Sequence, residues 1–340
     1  MRDEPGGHAH LDFAGNCGRA ATKESAKRLI TIVGADGFVG GGLAKALQVD
    51  SAYQMERVVY GPAADGDIHI SRAEALLRRA DIIINCGGFR VRPGCDFRDY
   101  QRSHEGSTSV LVPWIRKEAL LIHISSASVL GKGEDLGNHG RPNPMTFPSP
   151  GYALAKLEED QYLEKASKER GFRVIFLRPA VLYSPQGAGM VATIIGLAKR
   201  GISLRLYPRN ARQHLAHVDL LANVVRRVIQ HNRLPNLSCL VVADPYTVTN
   251  RQLEAMIRQV QQKRGLPLPL PIHWMSALLR RSFHSKTPML DLKTMGEILG
   301  VMASDTVYDP SETYRLLDID PLQYSIDETL RPLIAEALKG

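Results

Sequence analysis

Tyr152 and Lys156 stand four positions apart in the stretch GYALAK. On a helix that spacing stacks both side chains on one face, a phenol beside an ammonium. A phenol with its ordinary pKa of ~10 keeps its proton at neutral pH. A neighbouring positive charge favours the phenolate, so the pair could be an acid/base device; the alternative is two unrelated surface residues. A second group carries a different chemistry. Gly34, Gly37 and Gly40 follow the apolar run RLITIV (28–33), and the stretch GADGFVGGG that holds them leads into LAKALQ (43–48), which reads as helix. Glycines there allow a tight turn and close backbone approach to a pyrophosphate, which then sits at the positive helix N-terminus.

The elements that must position these groups alternate along the chain. After the first strand and helix come a strand at RVVY (57–60), a helix at 71–80 and a strand at DIIIN (81–85). A helix at 103–118, the strand LLIHIS (120–125), a helix from Tyr152 to Lys168 and the strand RVIFLRP (173–179) continue the pattern. Ser149 is expected to cap the helix of Tyr152 and Pro150 to start it. Alternation of this kind predicts an α/β fold, a doubly wound parallel sheet covered on both faces. Beyond residue 183 the rhythm loosens into helices at 190–200 and 219–231, the strand LSCLVVA (237–243), and a helix capped by Thr249. The division expected is a dinucleotide-binding lobe of 28–182 plus 211–243. A smaller C-terminal substrate-binding lobe of 183–210 plus 244–340 would complete it. PLPLPIHWMSALLRR is expected to pack into that smaller lobe rather than to meet a membrane surface.

Composition narrows the class. With 340 residues the chain has ample length for a sizeable core, and no apolar run is long enough to span a membrane. Residues 1–27 are polar and lack the apolar centre of a secretory signal, so they read as a mobile leader. The four cysteines make no C-x-x-C pair and no zinc-finger spacing, which points to a reduced, cytoplasmic protein without structural metal. The net charge of +8 is scattered and forms no basic arm, which argues against nucleic acid and for an anionic small substrate.

The glycine spacing G-x-x-G-x-x-G with a downstream Tyr-x-x-x-Lys resembles the short-chain dehydrogenase/reductase family. Further stretches resemble its extended branch, the NAD-dependent epimerase/dehydratase group. These are Gly66-Asp67-Ile68, N85-C86-G87-G88, HISSASVLG (123–131), LRPAVLYSP (177–185) and HLAHVDLL (214–221). The resemblance implies catalytic roles for Ser126, Tyr152 and Lys156, with Lys156 also holding the nicotinamide ribose. It implies cofactor contacts from the glycine turn (Gly34, Gly37, Phe38, Val39, Gly40), from Asp67 and Ile68 at the adenine, and from Cys86, Gly87, Gly88 and Pro179. Arg90 could reach a cofactor phosphate or be a plain solvated arginine. Arg212 lies near a family phosphate-binding arginine, and Ser128 is a candidate substrate contact. Family dehydratases carry carboxyl groups directly after the catalytic hydroxyl; Ala127 and Ser128 stand there, which argues against elimination of water. Leu130, in place of a family tyrosine, would suit a greasier pocket. Asp219 is expected to cap its helix and His217 to be a packed core residue.

The function expected is an NAD(P)-dependent 4-keto nucleotide-sugar reductase. The rivals are a nucleotide-sugar 4-epimerase, a reductase of a non-sugar ketone, and a non-catalytic protein that senses the cofactor. Tyr60-Gly61-Pro62 after the second strand offers neither an acid for NAD nor an arginine for NADP, and the short segment before Asp67 favours NADPH. A homodimer is what the resemblance implies.

Overall fold

The computed structural model describes residues 27–48, 52–64, 66–184, 190–231, 234–261, 267–287 and 291–339. The leader expected up to residue 27 falls, but for its last residue, outside them. Among the described residues the expected alternation is present. It runs β1 (Arg28–Val33), α1 (Phe38–Leu47), β2 (Tyr53–Val59), β3 (Asp67–His69), α2 (Glu74–Leu77), β4 (Ile82–Asn85), α3 (Phe97–Leu111) and β5 (Leu120–Ile124). Then follow α4 (Pro150–Arg170), β6 (Arg173–Pro179), β7 (Val181–Tyr183), α5 (Met190–Lys199), β8 (Ser203–Leu206), β9 (Arg212–His217), α6 (Val218–Gln230) and β10 (Ser238–Val242). The remaining elements are β11 (Thr247–Thr249), α7 (Asn250–Val260), β12 (Pro267–Leu270), α8 (Ile272–Leu279), α9 (Leu292–Ala303), α10 (Ser311–Leu317) and α11 (Leu330–Lys339).

Seven parallel strands form one sheet in the order β10-β6-β5-β4-β1-β2-β3, a doubly wound arrangement. Its apolar runs are continuous because both faces are covered. Alternate residues of one strand serve opposite cores: Ile82 and Ile84 join Leu43, Leu221 and Val225 on one face, while Ile83 joins Leu111 and Leu163 on the other. Outside the main sheet, β9 lies between β11 and β7, and β8 pairs with β12. A third core, with Ile194, Ile195, Leu253, Ile257 and Ile334, belongs to these later elements.

Several boundaries differ from the sequence reading. Strand β2 starts four residues before RVVY, because YQME, although polar, pairs along β1. The helix expected at 71–80 shrinks to a 3-10 turn at Ile70–Arg72 and the single turn α2. The one expected at 103–118 is α3, which begins at Phe97. Asp96 accepts from the Asp99 amide and Asp99 accepts from that of Asp96, a reciprocal cap, and Pro113 lies in the 3-10 turn that follows the helix. The same device, Thr249 with Gln252, starts α7 as expected.

Two glycines test how tightly the sheet edge is built. A Cβ at Gly40 would overlap the Gly34 carbonyl, which is backbone and cannot swing aside. At Gly106, inside α3, nothing lies within 4 Å. We therefore expect Gly40→Ala to lower the thermal midpoint sharply or prevent folding. Gly106→Ala should stabilise by ~0.5–1 kcal/mol in urea titrations.

Candidate active site

Parallel strands β1, β4, β5 and β6 all end at one edge of the sheet, so the loops that follow them converge there. Gly34, at φ +78, turns the chain out of β1; a Cβ on it would sit 3.1 Å from the Cys86 carbonyl and the Gly87 amide. The glycine turn and the N-C-G-G turn are thus pressed together, and only a bare backbone fits between them. Gly37 caps α1 without a side-chain hydrogen bond, and the first turn has no acidic residue. The opening amides at Phe38 and Val39 have no partner within their own helix, so they can serve an anion. Asn85 Oδ1 accepts from the Gly87 amide at 3.0 Å and fixes the second turn. Ile68 follows Asp67 on β3, which lies beside β2 at the sheet's outer edge. Pro179 ends β6 beside Val242.

Helix α4 places the acid/base pair. Pro150 occupies its first turn, so Tyr152 lies near the N-terminus and Lys156 one turn deeper. The expected cap at Ser149 is not formed: its hydroxyl donates instead to Glu297 on α9, at 2.8 Å. Ser126 caps the short turn after β5, accepting from the Ser128 amide, and its hydroxyl is near enough to the Tyr152 phenol to favour the ionised form. Tyr152 packs edge-on against Tyr100 and His104, with ring centroids 5.6 and 6.0 Å away. Ser126, Tyr152 and Lys156 are therefore brought together.

Beneath them lies a buried cluster that the sequence reading missed. Lys156 Nζ donates to Glu159 Oε2 at 2.8 Å and to the Ile124 carbonyl at 3.3 Å. The same carboxylate oxygen lies 3.4 Å from His123 Nε2 and 3.9 Å from His104 Nδ1. Asp160 accepts from Ser125 at 2.9 Å and from Arg178 at 3.3 Å. Burial drives the Glu159 carboxyl upward, but Lys156 and His123 overcome it and hold it down to about 2. Burial works to lower the Lys156 ammonium, yet Glu159 and the phenol leave it raised. Burial likewise pushes His104 down to about 4, which keeps its ring neutral.

The phenol departs from the sequence expectation. Burial raises its pKa above the ordinary value; Lys156 and Ser126 pull it down, while Glu159 and Asp160 push it up. The ammonium is shared with a carboxylate, so Lys156 alone does not make a phenolate of Tyr152. An oxidised nicotinamide, if bound here, would supply the hydride acceptor and a further positive charge. The glycine turn, the open start of α1, and the buried Ser128 hydroxyl, which has no partner among the described residues, fit such a dinucleotide and its substrate.

The other candidates fall as follows. Cys86 is half-buried, and desolvation pushes its thiol up to about 12. Gly88, at φ +105, lies against the His104 ring. Arg90 is exposed. Asp67 is paired with Arg57 at 2.6 Å on the neighbouring strand. Arg212 is paired with Asp305 at 3.2 Å. Leu130 is packed among Ala127, Val129, Val241, Ala243 and Tyr308, so it belongs to the core and not to a greasy pocket. His217 is buried, as expected, and is itself the cap of α6, accepting from the Asp219 amide, so Asp219 is not the cap. Asp36 was missed: from the glycine turn its carboxylate accepts the Gly61 amide at 2.9 Å, just past the end of β2. Among the described residues no cluster of metal ligands occurs.

A buried ion pair that loses one partner leaves an uncompensated charge. Glu159→Gln should therefore cost ~3–5 kcal/mol in urea unfolding. Removing the ammonium as well, in Lys156→Met with Glu159→Gln, should restore part of it, and a double-mutant cycle measures the coupling.

The model of a family described as "NAD dependent epimerase/dehydratase family" matches residues 30–240. A curated UDP-glucose 4-epimerase of Vibrio cholerae is 25% identical over 283 residues, covering 78% of this chain and 85% of that one. Among solved structures, UDP-glucuronic acid 4-epimerase of Bacillus cereus, in complex with UDP-glucuronic acid and NAD, superposes with a TM-score of 0.71 at 18% identity. It covers 92% of this chain and 99% of that one. A human epimerase family protein with NADPH superposes at 0.68 with 16% identity, covering 92% and 99%.

Proposed function

Since the chain belongs to the NAD-dependent epimerase/dehydratase family, we propose that it is a 4-epimerase of a nucleotide-activated sugar that uses NAD. The observation that carries this reading is the convergence of Ser126, Tyr152 and Lys156 beside the glycine turn, with no carboxyl group at positions 127 and 128. Tyr152 takes the proton from the sugar hydroxyl as hydride leaves the same carbon, and returns it after the ketone has turned over. Ser126 holds the reacting oxygen, and Lys156 orients the cofactor ribose. The curated relative, a UDP-glucose 4-epimerase, supports the sugar and the reaction.

NAD replaces the NADPH favoured from the sequence, and Asp36 is the reason. Its carboxylate bridges the glycine turn and the end of β2, where an adenosine ribose would lie. There it can accept from a ribose hydroxyl and repels a 2′-phosphate. Arg57, the nearby cation, is already committed to Asp67. Net reduction of a 4-keto sugar is the second reading, favoured by the upward push of burial on the Tyr152 phenol, which suits a proton donor.

The two readings differ in stoichiometry. An epimerase interconverts UDP-glucose and UDP-galactose, or the glucuronate or N-acetyl pairs, without consuming cofactor, whereas a reductase oxidises one equivalent per turnover. With a panel of these sugars we expect Tyr152→Phe to reduce kcat by ~10²–10⁴-fold while NAD still binds. Undiminished turnover in that variant would remove the assigned role of the phenol. Asp36→Ala should narrow the ratio of NADP to NAD dissociation constants by about tenfold, measured by calorimetry on both cofactors.

A further inference from the structure

The segment expected to pack into the smaller lobe does so by one face only. In α8, Ile272 and Ser276 are buried, and the helix leans on α9: a Cβ at Gly300 would meet Ser276, and one at Gly296 would meet Leu279. The opposite face carries the large apolar groups. Trp274 is 71% exposed and Leu278, one turn on, 69%; Phe283 just beyond the helix is 73% exposed and Leu268 just before it 50%. His273, Ala277 and Arg281 complete the outward stripe, all exposed. The arrangement is inside out for a soluble lobe, where large side chains should turn inward.

Charge indicates what covers this face. From Ala255 to Leu290 the sequence holds no Asp or Glu, yet it holds Arg258, Lys263, Arg264, Arg280, Arg281 and Lys286. Arg258 is paired with Glu254, and Lys286 with Asp96 and Asp99. Arg280 and Arg281 are exposed, with no carboxylate in ion-pair range among the described residues. A second copy of the chain is a poor occupant, because a two-fold contact would set these arginines against each other with no acid between them. No helix among the described residues is long and apolar enough to cross a bilayer.

We propose that the outer face of α8 docks on an anionic lipid surface. Trp274, Leu278, Leu268 and Phe283 enter the headgroup–acyl boundary, and Arg281 meets the lipid phosphates. The ring of Trp274, beside that of His273 at 5.5 Å, supplies the amphipathic group that such boundaries favour. Vesicle binding needs no turnover, so this inference stands or falls apart from the reaction assigned above.

The test is co-sedimentation of the full chain with vesicles of phosphatidylcholine alone, or with about a quarter phosphatidylglycerol. We expect binding to the anionic vesicles only, weakening with salt, and a blue shift of the Trp274 emission in a Trp114→Phe background. Trp274→Ser with Leu278→Ser should weaken binding about tenfold or more, and Arg281→Glu about fivefold or more. All three altered positions are exposed, and an unchanged thermal melt checks that each variant is folded. The proposal is overturned if the chain ignores anionic vesicles, or if the variants bind like the parent. It is equally overturned if Trp274→Ser with Leu278→Ser turns a dimer into a monomer in light scattering, which would give the face to a second copy.

Discussion

The ion pair between Lys156 and Glu159 ties the chemistry to the fold. The ammonium also reaches the Ile124 carbonyl at the end of β5, so α4 is fastened to the sheet where the Ser126 turn begins. Tyr152 is carried on the same helix one turn earlier, and its approach to Ser126 is set by that fastening. A lysine buried without a carboxylate would tend to shed its proton. Glu159 keeps the charge in place, at the cost of sharing it with the phenol it is meant to influence. The local electrostatics are therefore a balance, which Lys156 alone does not tip towards the phenolate.

Much of this was legible in the amino-acid order. Strands such as DIIIN and LLIHIS are buried on both faces, so their continuous apolar runs identify a parallel sheet, and the glycine spacing marks where its first turn must be bare. Tyr152 and Lys156 were visible because helical periodicity makes a four-residue spacing a contact. Glu159 obeys the same rule, three residues past Lys156, and could have been found by carrying the face one turn further. His123 could not, since it comes from β5, across the sheet, and no local pattern brings it to α4. Asp36 was hidden by an assumption about where an acid belongs. The position after the second strand is filled in space by a residue from the first turn. Helix ends erred where tertiary bonds outcompeted local ones: Ser149 had the right type for a cap, but Glu297 claimed its hydroxyl.

How α8 would sit in its lobe was not legible in the sequence, for a related reason. Periodicity says that a helix has an apolar face, but not which way that face turns. Here small residues decide: Ser276 on α8 meets Gly300 on α9, and Gly296 meets Leu279, so the two helices pack closely through that side. Close packing there leaves the bulky groups of α8 on the outside. Backbone proximity, and not hydrophobicity, fixed the orientation.

Buried side-chain bonds join α9 and its cap to the loops around α4: Glu297 accepts from Ser149, which opens α4, and Asp291 accepts from the Gly94 amide, at 2.7 Å. Both carboxylates are buried. They rivet α9 to the start of the helix bearing Tyr152, so α9 cannot swing outward without breaking buried bonds and tilting the phenol as well.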